Sequence, residues 1–591
     1  MTYVPPATDM GFILKHLIGV DNLRRLDYNI APDLIDSVLD GAGELAAGVF
    51  APLNASGDRS GAQFTGGKVI MPKGFKEAYK SFADGGWNAL PFPIDIGGMG
   101  LPWSLSYMVQ EMFHAANISL ALVTLLNQGA IELLSAHGPP EIKALCLPKL
   151  MSGAWTGTMN LTEPQAGSDA GAIRMIATPD GNFFRLKGQK IFISYGDHDM
   201  AENIVHFVLA RLPDAPPGSK GLSLFLVPKI LVKPNGALGR ANDIQTISTE
   251  HKLGQHASPT CTLAYGDHTG AVGYLIGEPH GGMAAMFTMM NNARIGVGLQ
   301  GLGLSERAYQ AARDYAKTRI QGRDMRVKNG PDTPIIVHAD VRRMLLTMRS
   351  QIEAARALAG MTGYMADRAR MKQDALAERR HGLFMPIVKS WLTDLANEIT
   401  SLAIQVFGGA GYIEETGAAQ HYRDARVLAI YEGTNGIQAN DLVFRKLAGD
   451  RGETMFGLCA DMKRVEFELQ RLGDDDGRAI RWQLAYARTD LETATQALID
   501  DLTFNKAAAA AGASHYQKLA GMALGGLYLA QSAVQAIQLS GRMSDAAQKF
   551  MRDKITTARF YAEQIMPQTT GLRMAITGGH EMIARVDSEY F

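Results

Sequence analysis

The strongest constraint in this chain is a change of hydrophobic period. Residues 156–281 are patterned for strands, and the sequence on both sides of them is patterned for helices. Upstream, "NLRRLDYNIAPDLIDSVLDGAGELAAGVFAPL" and "ISLALVTLLNQGAIELLSAHG" carry apolar residues three and four positions apart, the spacing of one helix face. "PFPIDIGGMGLP" between them is a Pro/Gly loop. In the middle block, "NFFRLKGQKIFISYG", "NIVHFVLARL" and "GLSLFLVPKI" alternate β-branched and aromatic residues between Gly, Pro and Asp punctuation. Helical period then returns in segments such as "VRRMLLTMRSQIEAARALAGMTGYMADRARM", long and apolar enough to pack as a bundle. The pattern predicts an α+β, mainly α chain with a helical N-terminal domain (1–155), a β domain (156–281), a helical bundle (282–449) and a helical extension (450–591). Small residues in "KAAAAAGASHYQKLAGMALGGLYLA" predict close helix packing, against this chain or a second subunit.

Bulk properties remove whole classes of function. With 591 residues the chain exceeds what one core supports, which stops growing at about 250–300 residues. Net charge is −1, which gives no pull toward nucleic acid or an anionic membrane. Cys146, Cys261 and Cys459 lie far apart and form no CxxC pattern, so neither a metal site nor a disulfide framework is expected. The start, MTYVPPATDMGF, lacks the basic-then-apolar order of a signal peptide. No apolar run reaches the roughly 20 residues that span a bilayer. A cytoplasmic protein is the expectation.

Four stretches carry chemical suggestions. In "AIYEGTNGIQ", Glu432 stands on a Gly-rich turn with no basic residue beside it in sequence. "MNLTEPQAGSDAG" offers Thr162, Ser168 and backbone N–H groups near Gly167 to a phosphate or a flat ring, or is simply a polar turn. In "GQKIFISYG", strand alternation sets Phe192 and Ser194 on one face. "QVFGGAGY" either receives a pyrophosphate or caps a helix; its spacing is not GxGxxG and no strand precedes it, so a Rossmann unit is rejected. Arg319 in "TRIQG" has a fork suited to phosphate, though a lone arginine at a helix end commonly serves the helix dipole.

The succession is more informative than any member of it. "LTEPQAGSD", "GQKIFIS", "EHKLGQHASPT", "NNARIGVG", "QVFGGAGY" and "RDARVLAIYEGTNGIQ" follow one another as they do in the acyl-CoA dehydrogenase family, which this chain resembles from about Trp87 to about Lys446. Its length and appended helices resemble the longer members.

The resemblance implies an acyl-CoA dehydrogenase fold, FAD as cofactor and α,β-dehydrogenation of a CoA thioester. It implies a short acyl group, 3-(methylthio)propanoyl-CoA giving the 3-(methylthio)acryloyl product, with other chain lengths as the alternative. Glu432 is then the base that takes the α proton. A free glutamate near pKa 4.3 is a weak base, so burial beside an acyl chain is expected to raise it. Some relatives carry the base just before the arginine of the first long C-terminal helix; here that position is Ala293, which has no acid. By matching position, Met159, Leu161, Thr162 and Ser168 line the flavin and thioester. Phe192 and Ser194 flank the isoalloxazine, while Arg319, Gln405 and Gly409 hold the pyrophosphate, and Thr434 contacts the cofactor and caps the next helix. Ser168, Asn291, Arg294 and Gly433 are expected at the substrate. Phe192 stands where Trp is common, Gly436 replaces a polar residue that often touches the cofactor, and Asn291 stands where medium-chain relatives have an acid. The resemblance further implies an electron-transfer flavoprotein as acceptor and a homodimer or dimer-based tetramer, with no metal, nucleic acid or membrane insertion. The rivals are an acyl-CoA oxidase on the same fold and a flavin-bearing nucleic-acid-binding relative. The latter should be basic at its C-terminus, whereas residues 450–591 hold 16 basic and 18 acidic side chains.

Overall fold

The computed structural model describes residues 2–540 and 544–591. Its main helices in chain order are α1 (Ala7–Phe12), α2 (Trp103–Ala116), α3 (Ile118–His137), α4 (Gly282–Thr318), α5 (Ala339–Lys372) and α6 (Ala375–Phe407). There follow α7 (Asn435–Asp441), α8 (Glu453–Leu472), α9 (Asp475–Phe504), α10 (Lys506–Leu539) and α11 (Asp545–Gln564). The chain divides into two compact units. One comprises Glu44–Leu101 and Ala116–Gly296; the other comprises Met1–Gly43, Pro102–Ala115 and Val297–Phe591.

The first unit holds the strand-patterned block. A hairpin, β1 (Gln63–Thr65) with β2 (Lys68–Ile70), lies in the stretch expected to be mostly helical; two glycines at positive φ, Gly66 and Gly67, make its turn. The strands that follow are β3 (Trp155–Asn160), β4 (Ile176–Asp180), β5 (Phe183–Ser194), β6 (Asn203–Arg211) and β7 (Leu222–Pro228), then β8 (Ile230–Val232), β9 (Leu238–Ala241), β10 (Ile244–Thr249), β11 (Thr260–Tyr265) and β12 (Ala271–Ile276). Eight of them form one sheet, in the order β10-β11-β5-β12-β7-β6-β3, with β4 paired to β5 and β6. β6 and β7 are buried along nearly their whole length, so both of their faces are covered.

Helix α3 corrects one expectation. Its 20 residues are long and apolar enough by composition to cross a membrane. Most of it is buried within the protein instead, and Asn117 caps its start by accepting from Leu120 N–H at 3.1 Å.

The second unit is helical, and its C-terminal extension is built into it. Gly521 and Gly525 of α10 meet the Trp391 ring of α6 so closely that a Cβ at either would lie 2.4 Å from it. The small-residue face therefore packs on this same chain. The same unit holds a buried ion cluster. Arg356 of α5 donates to Glu111 of α2 at 2.6 Å, to Glu306 of α4 at 2.6 Å and to Asp9 of α1 at 2.7 Å. Lys554 of α11 donates to Asp9 at 2.7 Å and to Glu353 of α5 at 2.8 Å. Burial alone would raise the Asp9 carboxyl; Lys554 and Arg356 outweigh it and hold it at about 2.

Removing one partner of such a cluster leaves uncompensated buried charge. Arg356→Leu is expected to lower stability by about 3–5 kcal/mol in urea titration. Because Asp9 titrates below its ordinary value, the stability it contributes is intact above about pH 4 and lost as pH falls toward about 2. Thermal melts across that window should fall more steeply for the wild type than for Asp9→Asn.

Candidate functional site

The helical unit presents Glu432 on a backbone that glutamate seldom adopts. Its φ is +55° and that of Gly433 is +86°, so two consecutive residues are left-handed. For a residue with a Cβ this costs about 1–2 kcal/mol, and such strain persists where neighbours fix the chain on both sides. Here they do. Before the turn, the Tyr431 hydroxyl donates to the Gln300 side-chain oxygen on α4. After it, the Thr434 hydroxyl accepts from Ile437 N–H at 3.3 Å and caps α7. Asn435 is pinned to α6: its amide donates to Asp394 at 2.7 Å, and its carbonyl oxygen accepts from Lys389 at 2.8 Å. Glu432 is half-buried between these anchors.

A second group gathers at one end of the same unit. The rings of Tyr315 and Phe407 stack at 4.3 Å, joining the ends of α4 and α6. Arg319 follows α4, exposed, with its guanidinium 3.2 Å from the Gln321 side-chain oxygen. Gln405 is exposed on the last turn of α6. Gly408 leaves that helix at φ +63°, and nothing lies within 4 Å of where Gly409 would carry a Cβ. An open cradle with one guanidinium suits a phosphate-bearing group.

In the β unit, a buried pair holds the loop after β3. Lys190 donates to Glu163 at 2.9 Å and to the Leu161 carbonyl at 2.8 Å. Burial lowers the Lys190 ammonium to about 8 against the pull of Glu163. Burial alone would raise Glu163, but Lys190 and the N–H of Arg174 bring it below its ordinary value. Ile191 N–H also bonds to the Thr162 carbonyl at 2.9 Å. Leu161 and Thr162 are thereby fixed against β5, half-buried; Met159, also half-buried, is held in β3 opposite Phe207 of β6, and Ser168 lies exposed further along the loop.

β5 departs from the regular alternation expected for Phe192 and Ser194. Its pairing with β11 steps from Ile193↔Cys261 to Lys190↔Leu263, so Ile191 and Phe192 stand opposite a single residue. This bulge gives Phe192 a φ of +59° and leaves its ring 59% exposed. Ser194 returns to the ladder opposite Thr260, half-buried. An exposed ring beside a hydroxyl and apolar side chains fits a flat heteroaromatic ligand. In the same unit Asn291 and Arg294 sit one turn apart on α4, with the guanidinium 3.4 Å from the Asn291 oxygen and 5.8 Å from the Phe287 ring centroid. Ala293 is buried.

The residues named from sequence thus fall into two sets. Glu432, Gly433, Thr434, Gly436, Arg319, Gln405 and Gly409 belong to the helical unit; Met159, Leu161, Thr162, Ser168, Phe192, Ser194, Asn291 and Arg294 belong to the β unit. Sequence reading missed Gln300, Asn435 and the Glu163–Lys190 pair. A lone amide inside "GVGLQGLG" signals that Gln300 needs a partner, but only folding names Tyr431.

Family models describe nearly the whole chain. "Acyl-CoA dehydrogenase, N-terminal domain" matches residues 40–154, the middle domain 158–267 and the C-terminal domain 280–447; "Acetyl-CoA dehydrogenase C-terminal like" matches 459–587. The chain is 42% identical to a 3-methylmercaptopropionyl-CoA dehydrogenase of Ruegeria pomeroyi over 98% of both chains. It is 34% identical to a butyryl-CoA dehydrogenase of Syntrophomonas wolfei over 97% of both. A Bacillus anthracis acyl-CoA dehydrogenase solved with FAD superposes at TM-score 0.73 with 17% identity, over 95% of this chain and 90% of that one.

Glu163→Gln strands a buried ammonium and is expected to cost about 3–5 kcal/mol in urea titration. Adding Lys190→Met to it should recover most of that loss.

Proposed function

The chain belongs to the acyl-CoA dehydrogenase family, oxidoreductases acting on the CH–CH bond of acyl-CoA, and from that premise we propose that it oxidises a short acyl-CoA with Glu432 as the base. The observation that carries this reading is the strained, doubly anchored turn. With Gln300 gripping the residue before it and α6 gripping Asn435, the left-handed backbone that carries the Glu432 carboxylate is held in one place. Such rigidity is what abstraction of a proton at one carbon demands.

FAD is the cofactor; when bound it supplies the acceptor for the hydride that leaves the β carbon. Phe192 and Ser194, with Met159, Leu161 and Thr162, offer the apolar and hydroxyl surface for its ring. Arg319, Gln405 and Gly409 are assigned to its pyrophosphate, and Thr434 to its phosphate or adenine side. Asn291, Arg294, Ser168 and Gly433 are assigned to the thioester and its coenzyme. Glu432 Oε receives the α proton. The four blocks 1–155, 156–281, 282–449 and 450–591 are proposed as domains of a homodimer or dimer-based tetramer that passes electrons to an electron-transfer flavoprotein.

For the substrate we propose 3-(methylthio)propanoyl-CoA, supported by 42% identity over 98% of the chain to a relative named for that activity under its mercapto synonym. A second reading, a straight short chain, is favoured by the butyryl-CoA relative at 34%.

Turnover of 3-(methylthio)propanoyl-, butanoyl- and octanoyl-CoA with an artificial acceptor tests the choice. The first is expected to give the highest kcat/KM, and preference for octanoyl-CoA would defeat a short-chain assignment. Glu432→Gln should retain bound flavin while its bleaching by substrate slows by about 100-fold or more. Bleaching at the wild-type rate would remove Glu432 from the reaction.

A further inference from the structure

The proposed chemistry makes no use of the C-terminal extension, yet α10 of that extension grips the helix that pins the turn bearing Glu432. Helix α6 carries Pro386 in its interior. Proline has no N–H for the carbonyl four residues before it, here that of Gly382, and its ring crowds that turn, so a helix is weakest there. The segment just after this break has the most to hold. Lys389 donates to the Asn435 side-chain oxygen at 2.8 Å, and the Ser390 carbonyl accepts from the Asn435 amide at 3.3 Å. The same amide donates to the Thr393 hydroxyl at 3.0 Å and to Asp394 at 2.7 Å. Asn435 follows Glu432 by three residues.

A brace crosses the weak point. Gln517 of α10 is buried, and its amide nitrogen donates to the Pro386 carbonyl at 2.9 Å and to the Ser390 hydroxyl at 2.8 Å. Those acceptors lie four residues apart, about one turn of helix, so a single amide ties that turn end to end. Glycine sets the reach. Gly521, one turn along α10 from Gln517, has no side chain to hold α10 away from Trp391, the residue after Ser390. Lys518 also pairs with Glu398 at 2.6 Å, but at an exposed position where ion pairs contribute little.

We propose that Gln517 is a positioning residue for the base. Resting on the assignment of Glu432 above, the path runs from Gln517 to Ser390 and the turn that carries Lys389, from these to Asn435, and from Asn435 to the left-handed turn. Lys389 and Ser390 are buried and Asn435 is half-buried, and hydrogen-bond networks on rigid helices are what carry coupling between distant groups. The extension then serves the reaction without touching substrate or cofactor. Proton abstraction responds to small shifts: a displacement of about 1 Å can cost about 100-fold in rate.

Stopped-flow bleaching of the full-length holoenzyme, by 3-(methylthio)propanoyl- or butanoyl-CoA, whichever turns over faster, tests the path. Gln517→Met keeps the length and cannot donate. It should bind FAD as the wild type does and keep the half-saturating substrate concentration, while the limiting rate of bleaching falls by about 10- to 100-fold. A glutamine that only fills the interior would lower the melting temperature and leave the rate per bound flavin unchanged. Ser390→Ala removes one oxygen at the other end of the bridge and should slow bleaching likewise; it carries the test alone should Gln517→Met not fold. Together the two should cost little more than the larger single loss, because they break one bridge. Wild-type bleaching in either variant, or losses that multiply in the double, would overturn the proposal. Glu432→Gln, run alongside, separates the two levels. If it bleaches at the wild-type rate, the base assignment and this inference fall together. If it is slow while Gln517→Met is not, this inference falls alone.

Discussion

The helical unit depends on one guanidinium. Arg356 gathers carboxylates from α1, α2 and α4, and Lys554 closes the cluster from α11, a helix far along the chain. In a low-dielectric interior each charge is costly to desolvate, and only the full complement of partners offsets that cost. The first ten residues and the last long helices are therefore held to the same point. The extension beyond residue 450 is part of the unit's interior, since Trp391 has glycines of α10 as its wall. A chain truncated after residue 449 would expose that ring and leave Asp9 with one cation fewer.

The same stiffness serves the candidate base. Gln300 belongs to α4, as Glu306 does, and Asn435 is fixed to α6 through Asp394 and Lys389. The turn bearing Glu432 hangs between two helices whose positions are set by packing and by the buried charges. Strain at φ +55° is tolerated because those anchors over-determine the backbone. In the β unit the Glu163–Lys190 pair does the equivalent task, joining the loop after β3 to the strand that bears the bulged Phe192. Both sets of side chains thus rest on paired buried polar groups rather than on loops alone.

Much of this is legible from residue order. The switch from a period of 3.6 to one of 2 near residue 156 marks a β block within helices, and the Gly-Thr-Asn-Gly run after Glu432 marks a turn capped by threonine. Where residue order misleads, it does so for physical reasons. The hairpin at 63–70 is too short for a periodicity signal. The apolar run of α3 reads as too short to span a bilayer, yet it is long enough, and burial within the fold is what its composition serves. Phe192 breaks the alternation rule because β5 carries one extra residue there, and the bulge is defined only by the register of the facing strand.

Sequence alone determined the secondary structure of the long segments, the family resemblance and the identity of the acid on the turn, since periodicity, Gly/Asn placement and motif order are local properties. Tertiary structure decided which partners those residues meet: Tyr431 with Gln300, Glu163 with Lys190, and Arg356 with acids more than two hundred positions away such as Glu111. A buried polar group must find a partner, but the chain written as a line does not state which one. That choice is made when helices pack and water is expelled, and it depends on the shape of the whole interior.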